Sequence, residues 1–143
     1  MRIAIINGPN LNLLGNRERE IYGGESFEEY LRRLEVWFPG IRFSYFQSNI
    51  EGELINLLHK AATEADGVIL NAGGYTHTSV AIGDAVKAID VPVVEVHISN
   101  ILAREDYRHT SLIAPACRGS LFGFGLAGYR LAAEYFNNIT EKN

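Results

Sequence analysis

Three stretches of the sequence hold side chains able to do chemistry. NGPNLNLLGNREREIYGG, residues 7 to 24, is rich in amide side chains, includes Asn10, and ends with Arg17, Arg19 and Tyr22. NAGGYTHTS, residues 71 to 79, holds Asn71 and His77 around two adjacent glycines. Glycines there permit close backbone approach to a ligand beside a helix start, where an anion is favoured. The plainer alternative is that Thr78 or Ser79 caps the helix and Asn71 closes a turn. HISNILAREDYRHTS, residues 97 to 111, follows a strand that carries Glu95 and His97. Side chains two apart on a strand share a face, so Glu95 can orient and charge the imidazole, although a purely structural hydrogen bond remains the alternative. Arg104 and Arg108 are four apart, and one helical turn would align their guanidiniums, with Glu105 and Asp106 as surface partners. His59 and His109 show no such pattern and read as structural or surface residues.

Composition narrows what these groups act on. The 143 residues are 47% hydrophobic and 21% charged, which fits one folded domain rather than a disordered chain. No apolar run approaches the roughly 20 residues of a bilayer span, and no signal-type segment precedes the first strand, so a cytoplasmic protein without a membrane partner is expected. Net charge is −4, and no basic face accumulates for nucleic acid, so an anionic ligand must be held by local positive charge. The single cysteine, Cys117, cannot form an internal disulfide and reads as a small apolar residue; no Cys/His spacing suggests a metal.

Ile- and Val-rich runs alternate with helical periodicity and position these loops. Strands are expected near Arg2–Asn7, Ile41–Gln47, Gly67–Asn71, Val93–His97 and, less regular, Gly119–Gly123. Ser26-Phe27-Glu28-Glu29 is a capping box that starts a helix ended by Pro39-Gly40, with Tyr30, Leu34 and Trp37 inward. A second helix over Glu51–Ala65 turns Leu54, Leu57, Leu58 and Ala61 inward, and a third over Ser79–Ile89 turns Val80, Ala81 and Ala85 inward. The last, near Leu126–Asn138, presents Tyr129, Ala133 and Phe136 for packing. Strands apolar on both faces call for helices on both sides, hence an α/β fold in three layers; five strands alternating with helices fit a flavodoxin-like, doubly wound parallel sheet of order 2-1-3-4-5, an order that periodicity alone does not fix. Ligands in such sheets bind beyond the carboxyl ends of the strands, where all three loops lie.

Gly123-Phe124-Gly125-Leu126-Ala127-Gly128 matches G-x-G-x-x-G, but no further strand with an acidic residue follows, so close packing explains these glycines better than a dinucleotide. A Walker loop is absent. Asn71 stands where a phosphoacceptor aspartate would be needed.

Together NGPNLNLLG, RE followed by IYG, LNAGGYTHTSVA, VEVHISN and ARE-YR, in this order over nearly the whole chain, closely resemble type II 3-dehydroquinate dehydratase. The resemblance implies one domain over residues 1–143 and removal of water from 3-dehydroquinate in the shikimate pathway, without metal or organic cofactor. It also implies a homo-oligomer, a dodecamer built as a tetramer of trimers. By this resemblance Tyr22 is the base, Arg17 stabilises its anion, His97 is the acid, Glu95 supports His97, and Asn10 orients water and substrate. Asn71, His77, Arg104 and Arg108 are implied as substrate-binding side chains, Ile98 and Ser99 as carboxylate-binding amides, and Asp84 as a residue reaching a neighbouring subunit's site. Two positions depart from the family. Arg19 stands where proline is common, from which a looser lid is expected, and Gly83 stands where arginine is common, from which loss of an intersubunit charge contact is expected.

The implied chemistry is consistent with these residue types. A tyrosine ionises near pH 10, so it becomes a base at neutral pH only beside a cation such as Arg17. A Schiff-base route is opposed independently, because Lys60, Lys87 and Lys142 are the only lysines and none lies in the three loops. The alternatives are a flavodoxin-like FMN or nucleotide binder and a non-catalytic oligomeric scaffold.

Overall fold

The computed structural model describes residues 1–16 and 24–141. Five parallel strands run in the order β2-β1-β3-β4-β5. They are β1 (Arg2–Asn7), β2 (Arg42–Gln47), β3 (Gly67–Asn71), β4 (Val93–His97) and β5 (Gly119–Phe122). Four helices connect or follow them: α1 (Phe27–Trp37), α2 (Glu51–Glu64), α3 (Val80–Ala88) and α4 (Ala127–Glu141). The flavodoxin-like order expected for five such strands is the order formed.

Alternation along the strands creates two cores. Ile3, Ile5, Ile69, Val94 and Val96 face α1 and α4, where Phe27, Leu34, Tyr129, Ala133 and Phe136 are buried. Ala4, Ile6, Val68, Leu70 and Val93 face α2 and α3, meeting Leu54, Leu58, Ala61, Ile82, Ala85 and Val86.

Local signals set the helix ends. The Ser26 hydroxyl accepts from the Glu29 amide, and the Glu29 carboxylate accepts from the Ser26 amide, so the expected capping box is formed. Its inward face differs from the sequence reading at one end. Phe27 is buried, whereas Trp37 is half-buried between Arg33 and Arg130, whose guanidiniums lie 4.8 and 4.4 Å from its ring. In α2, Leu57 is only half-buried. In α3, Val80 and Ala81 face outward, because Ser79 caps the helix and the stripe at Ile82, Ala85 and Val86 meets the sheet.

Gly83 also packs inward, and a Cβ on it would stand 2.8 Å from the Leu112 carbonyl oxygen. A larger residue there must displace the segment that crosses α3, which gives Gly83 a packing reason beyond loss of a charge. The G-x-G-x-x-G glycines likewise serve packing: Gly125 donates to the Ile98 carbonyl at 2.9 Å, and a Cβ on Gly128 would approach Val96 to 3.1 Å. Cys117 is partly buried, and burial, aided by the Glu95 charge, pushes its thiol up to about 12.

Gly8 carries the tightest backbone crossing at the strand ends. Its amide donates to the Asn71 carbonyl at 2.7 Å, and a Cβ would sit 2.6 Å from the Ala72 oxygen. Gly8→Ala should destabilise the fold by about 1–3 kcal/mol in urea unfolding, because backbone must give way; an unchanged midpoint would contradict this.

Candidate active site

The carboxyl ends of β1, β3 and β4 open into a cavity of about 240 Å³. Asn10, Asn71, His77, His97, Ile98, Ser99, Arg104 and Arg108 line it. Glu95 stands behind His97, and Asp84 lies exposed on α3 away from the lining. Arg17 and Tyr22, with Arg19, lie outside the described residues.

Each lining group is held by its own element. Asn10 adopts a left-handed backbone (φ 68°), a conformation asparagine tolerates better than most residues. Its amide donates to Asn49 Oδ1 at 3.0 Å, and Gln47 Nε2 donates to Asn49 Oδ1 and the Gly8 carbonyl, both at 3.1 Å. β2 thus braces the loop that leaves β1.

Asn71 is buried at the end of β3, opposite Asn7 in the sheet register. Its Oδ1 accepts from the Gly73 amide at 3.1 Å, which fixes the amide orientation, and its Nδ2 donates to the Tyr129 hydroxyl at 2.9 Å. That hydroxyl in turn donates to Asn7 Oδ1 at 2.7 Å. Burial drives the Tyr129 phenol well above its ordinary value, so it remains a neutral donor. The turn-closing role of Asn71 and the capping role of Ser79, whose hydroxyl accepts from the Ile82 amide, are both present, and Asn71 faces the cavity as well.

Glu95 and His97 do share a face of β4. The Glu95 carboxylate takes His97 Nε2 at 2.9 Å on Oε1, and the Ser111 and Ser120 hydroxyls at 2.6 Å each on Oε1 and Oε2. Burial works against its charge, but these donors, His97 first, hold its carboxyl below the usual range. An ionised carboxylate only accepts, so the His97 proton sits on Nε2 and Nδ1 is the nitrogen left for a ligand.

The His77 ring stacks over His97 with centroids 6.2 Å apart. Burial pushes the His77 imidazole below its ordinary value, against the pull of the Thr110 carbonyl and with help from His97 and Arg108. A neutral His77 donates from Nδ1 to Thr110 at 2.9 Å and keeps a lone pair on Nε2.

Arg104 and Arg108 both reach the cavity, but not along one helical turn. Arg104 is extended, and Arg108 ends a short 3-10 turn over Asp106–Arg108. Glu105 links them, accepting from Arg108 Nε at 2.6 Å with Arg104 Nε at 3.9 Å, while Arg104 Nη1 donates to Ser99 Oγ at 3.2 Å. His109, which showed no partner in the sequence, bonds through Nε2 to the Arg104 carbonyl at 3.0 Å. Sequence reasoning missed Asn7, Gln47, Asn49, Ser111 and Ser120 altogether, and read Tyr129 as packing alone. Among the described residues no group of three or more His, Cys, Asp or Glu side chains could hold a metal.

Two guanidiniums and two imidazoles around a small pocket suit a compact, polar anion. The same architecture occurs in the crystal structure of a type II dehydroquinase from Butyrivibrio crossotus, which is 42% identical. It superposes with a TM-score of 0.92 over 96% of this chain and 97% of that one. The sequence profile described as Dehydroquinase class II matches residues 1–137. The chain belongs to the class II dehydroquinase family. Curated relatives agree over full length. A 3-dehydroquinate dehydratase from Fusobacterium nucleatum is 51% identical, covering 96% of this chain and 99% of the relative. One from Caldicellulosiruptor bescii is 52% identical, covering 98% and 99%.

Tyr129→Phe in this dehydroquinase-family chain should cost about 1–3 kcal/mol, because the buried Asn7 Oδ1 loses its donor. Urea unfolding measures it, and a change within error would show that Asn7 finds another partner.

Proposed function

We propose that the protein removes water from 3-dehydroquinate to give 3-dehydroshikimate, by anti elimination through an enolate and without a Schiff base. Membership of the family and the names of its relatives support the reaction. The observation that carries the reading to side chains is His97, backed by Glu95, beside Asn71, His77, Arg104 and Arg108 in one small cavity.

In this reading the substrate carboxylate is received by the Ile98 and Ser99 amides, with Arg104, Arg108, His77 and Asn71 fixing the ring. Tyr22, as phenolate beside Arg17, takes the proton next to the carbonyl. The electron pair moves into the carbonyl, and the enolate oxygen is stabilised through water ordered by Asn10. His97, acting as the imidazolium with Nε2–H on Glu95 and its second proton on Nδ1, then gives the Nδ1 proton to the leaving hydroxyl, which departs as water while the enolate collapses to the conjugated enone. Glu95 already faces the other ring nitrogen, so the counter-charge of an imidazolium is in place before reaction. At about 240 Å³ the cavity is below the 300–1,000 Å³ of drug-sized sites, which suits one carbocycle better than FMN. Asp84, exposed on α3, completes a neighbour's site in a dodecamer of four trimers, and the reaction is the shikimate-pathway dehydration, carried out in the cytoplasm.

Tyr22→Phe should lower kcat by about a hundred- to ten-thousand-fold, the usual worth of an acid–base group, while calorimetry still detects substrate binding. Enone absorbance in the ultraviolet reports turnover, and near-normal turnover would refute the base assignment. His97→Ala should fall in the same range. Borohydride added with substrate should leave the protein mass unchanged; a stable adduct on a lysine would overturn the mechanism.

A further inference from the structure

The Glu95 carboxylate is more heavily satisfied than orientation of one imidazole requires. Besides His97 it binds two hydroxyls from separate parts of the chain. Ser120 lies on β5 directly across the register from Glu95, and Ser111 precedes the turn at Ala114–Ala116. Donor and acceptor roles at Ser111 are fixed. Its oxygen accepts from the Ile113 and Ala114 amides at 3.2 and 3.0 Å, so its only proton goes to Glu95 Oε1. Ser120 supplies its proton to Oε2. Neither serine lines the cavity.

We propose that Ser111 and Ser120 are positioning residues of the dehydration reaction, which keep Glu95 anionic and thereby hold the His97 proton on Nε2. The link to turnover rests on the reading of His97 as the acid. A buried carboxylate with a single partner is poorly compensated, and neutralisation by protonation is its cheapest escape. A protonated Glu95 would itself become a donor, and His97 Nε2 would have to accept. The ring would then carry its proton on Nδ1 as the neutral tautomer, with Glu95 no longer a counter-charge. Two short hydroxyl bonds oppose that outcome by stabilising only the charged carboxyl.

The groups around Glu95 leave the serines this task. His97 shares its strand; Leu70 faces it from β3. His77, whose imidazole is held low, lies beyond His97, with Arg108 acting on it. The Cys117 thiol, pushed to about 12, stays neutral and adds no negative charge beside Glu95.

The test compares wild type with Ser120→Ala, Ser120→Thr and the double variant Ser111→Ala/Ser120→Ala. Side-chain 15N spectra assign the His97 tautomer, with His97→Gln identifying its signals among the four histidines. The alanine variants should show a growing neutral Nδ1–H tautomer, its Nε2 unprotonated and distinct from the imidazolium, as pH falls. Their kcat on the acid side of the optimum should drop by about threefold or more, with KM little changed and the plateau retained. The sign follows from losing donors to the charged carboxyl: Glu95 gains its proton at higher pH. Ser120→Thr keeps a hydroxyl and should restore both readouts. Wild-type tautomer and acid limb in Ser120→Ala and in the double variant would overturn the proposal. If the double variant does not fold, Ser120→Ala alone decides. A changed tautomer with an unchanged kcat profile would support the serine clamp and count against His97 as the acid.

Discussion

A carboxylate withdrawn from water in the middle of an interior strand must be met by donors on every side, and much of the site follows from how Glu95 is met. The penalty for such a charge amounts to several kcal/mol unless hydrogen bonds replace hydration. β5 has to lie in register with β4 so that Ser120 reaches it, and the segment after Arg108 has to return so that Ser111 does. His97 receives its orientation from the same group. Strand order, loop path and imidazole geometry are thus coupled through two oxygen atoms.

A second buried network lies on the opposite face of the sheet. Asn7 and Asn71, neighbours in register, meet over the Tyr129 hydroxyl on the α1/α4 side, while Glu95 and its serines lie on the α2/α3 side. The cavity straddles the strand ends between them. Polar groups this deep depend on one another for their geometry, and here Asn7 Oδ1 is satisfied while its Nδ2 is left without a partner. The loops above are braced by longer-range bonds: Asn49 to the Asn10 amide, the Thr110 carbonyl to His77, and the Leu112 amide to the Thr76 carbonyl at 2.9 Å. Arg104 and Arg108 keep their separation through the shared Glu105 carboxylate.

The strands were legible from their Ile and Val runs, whereas their order fitted the flavodoxin-like pattern without following from periodicity, and the Ser26 box marked α1 within a residue. Helix faces were less legible where a cap moved the phase: Ser79 rotates Val80 outward, and two arginines stacking on Trp37 make its half-exposed place tolerable. The Glu95–His97 pair could be read because its partners are two apart. Ser111 and Ser120 could not, since they lie 16 and 25 residues from Glu95 and have no local pattern. Arg104 and Arg108 reach the same cavity, but an extended residue and a 3-10 turn replace the single helical turn that their spacing suggested.

The bond from Tyr129 to Asn7 spans 122 positions. On a ribosome β1 is made first, yet the hydroxyl that fixes its last side chain arrives only with α4, after every strand has been synthesised. Until then Asn7 and Asn71 face each other without the oxygen that bridges them, and the site has no settled floor. Contacts of such separation are slow to close and must wait for the intervening chain. A nascent chain that stops short of α4 carries every described lining residue of the cavity but not the Tyr129 hydroxyl that bridges Asn7 and Asn71 beneath it.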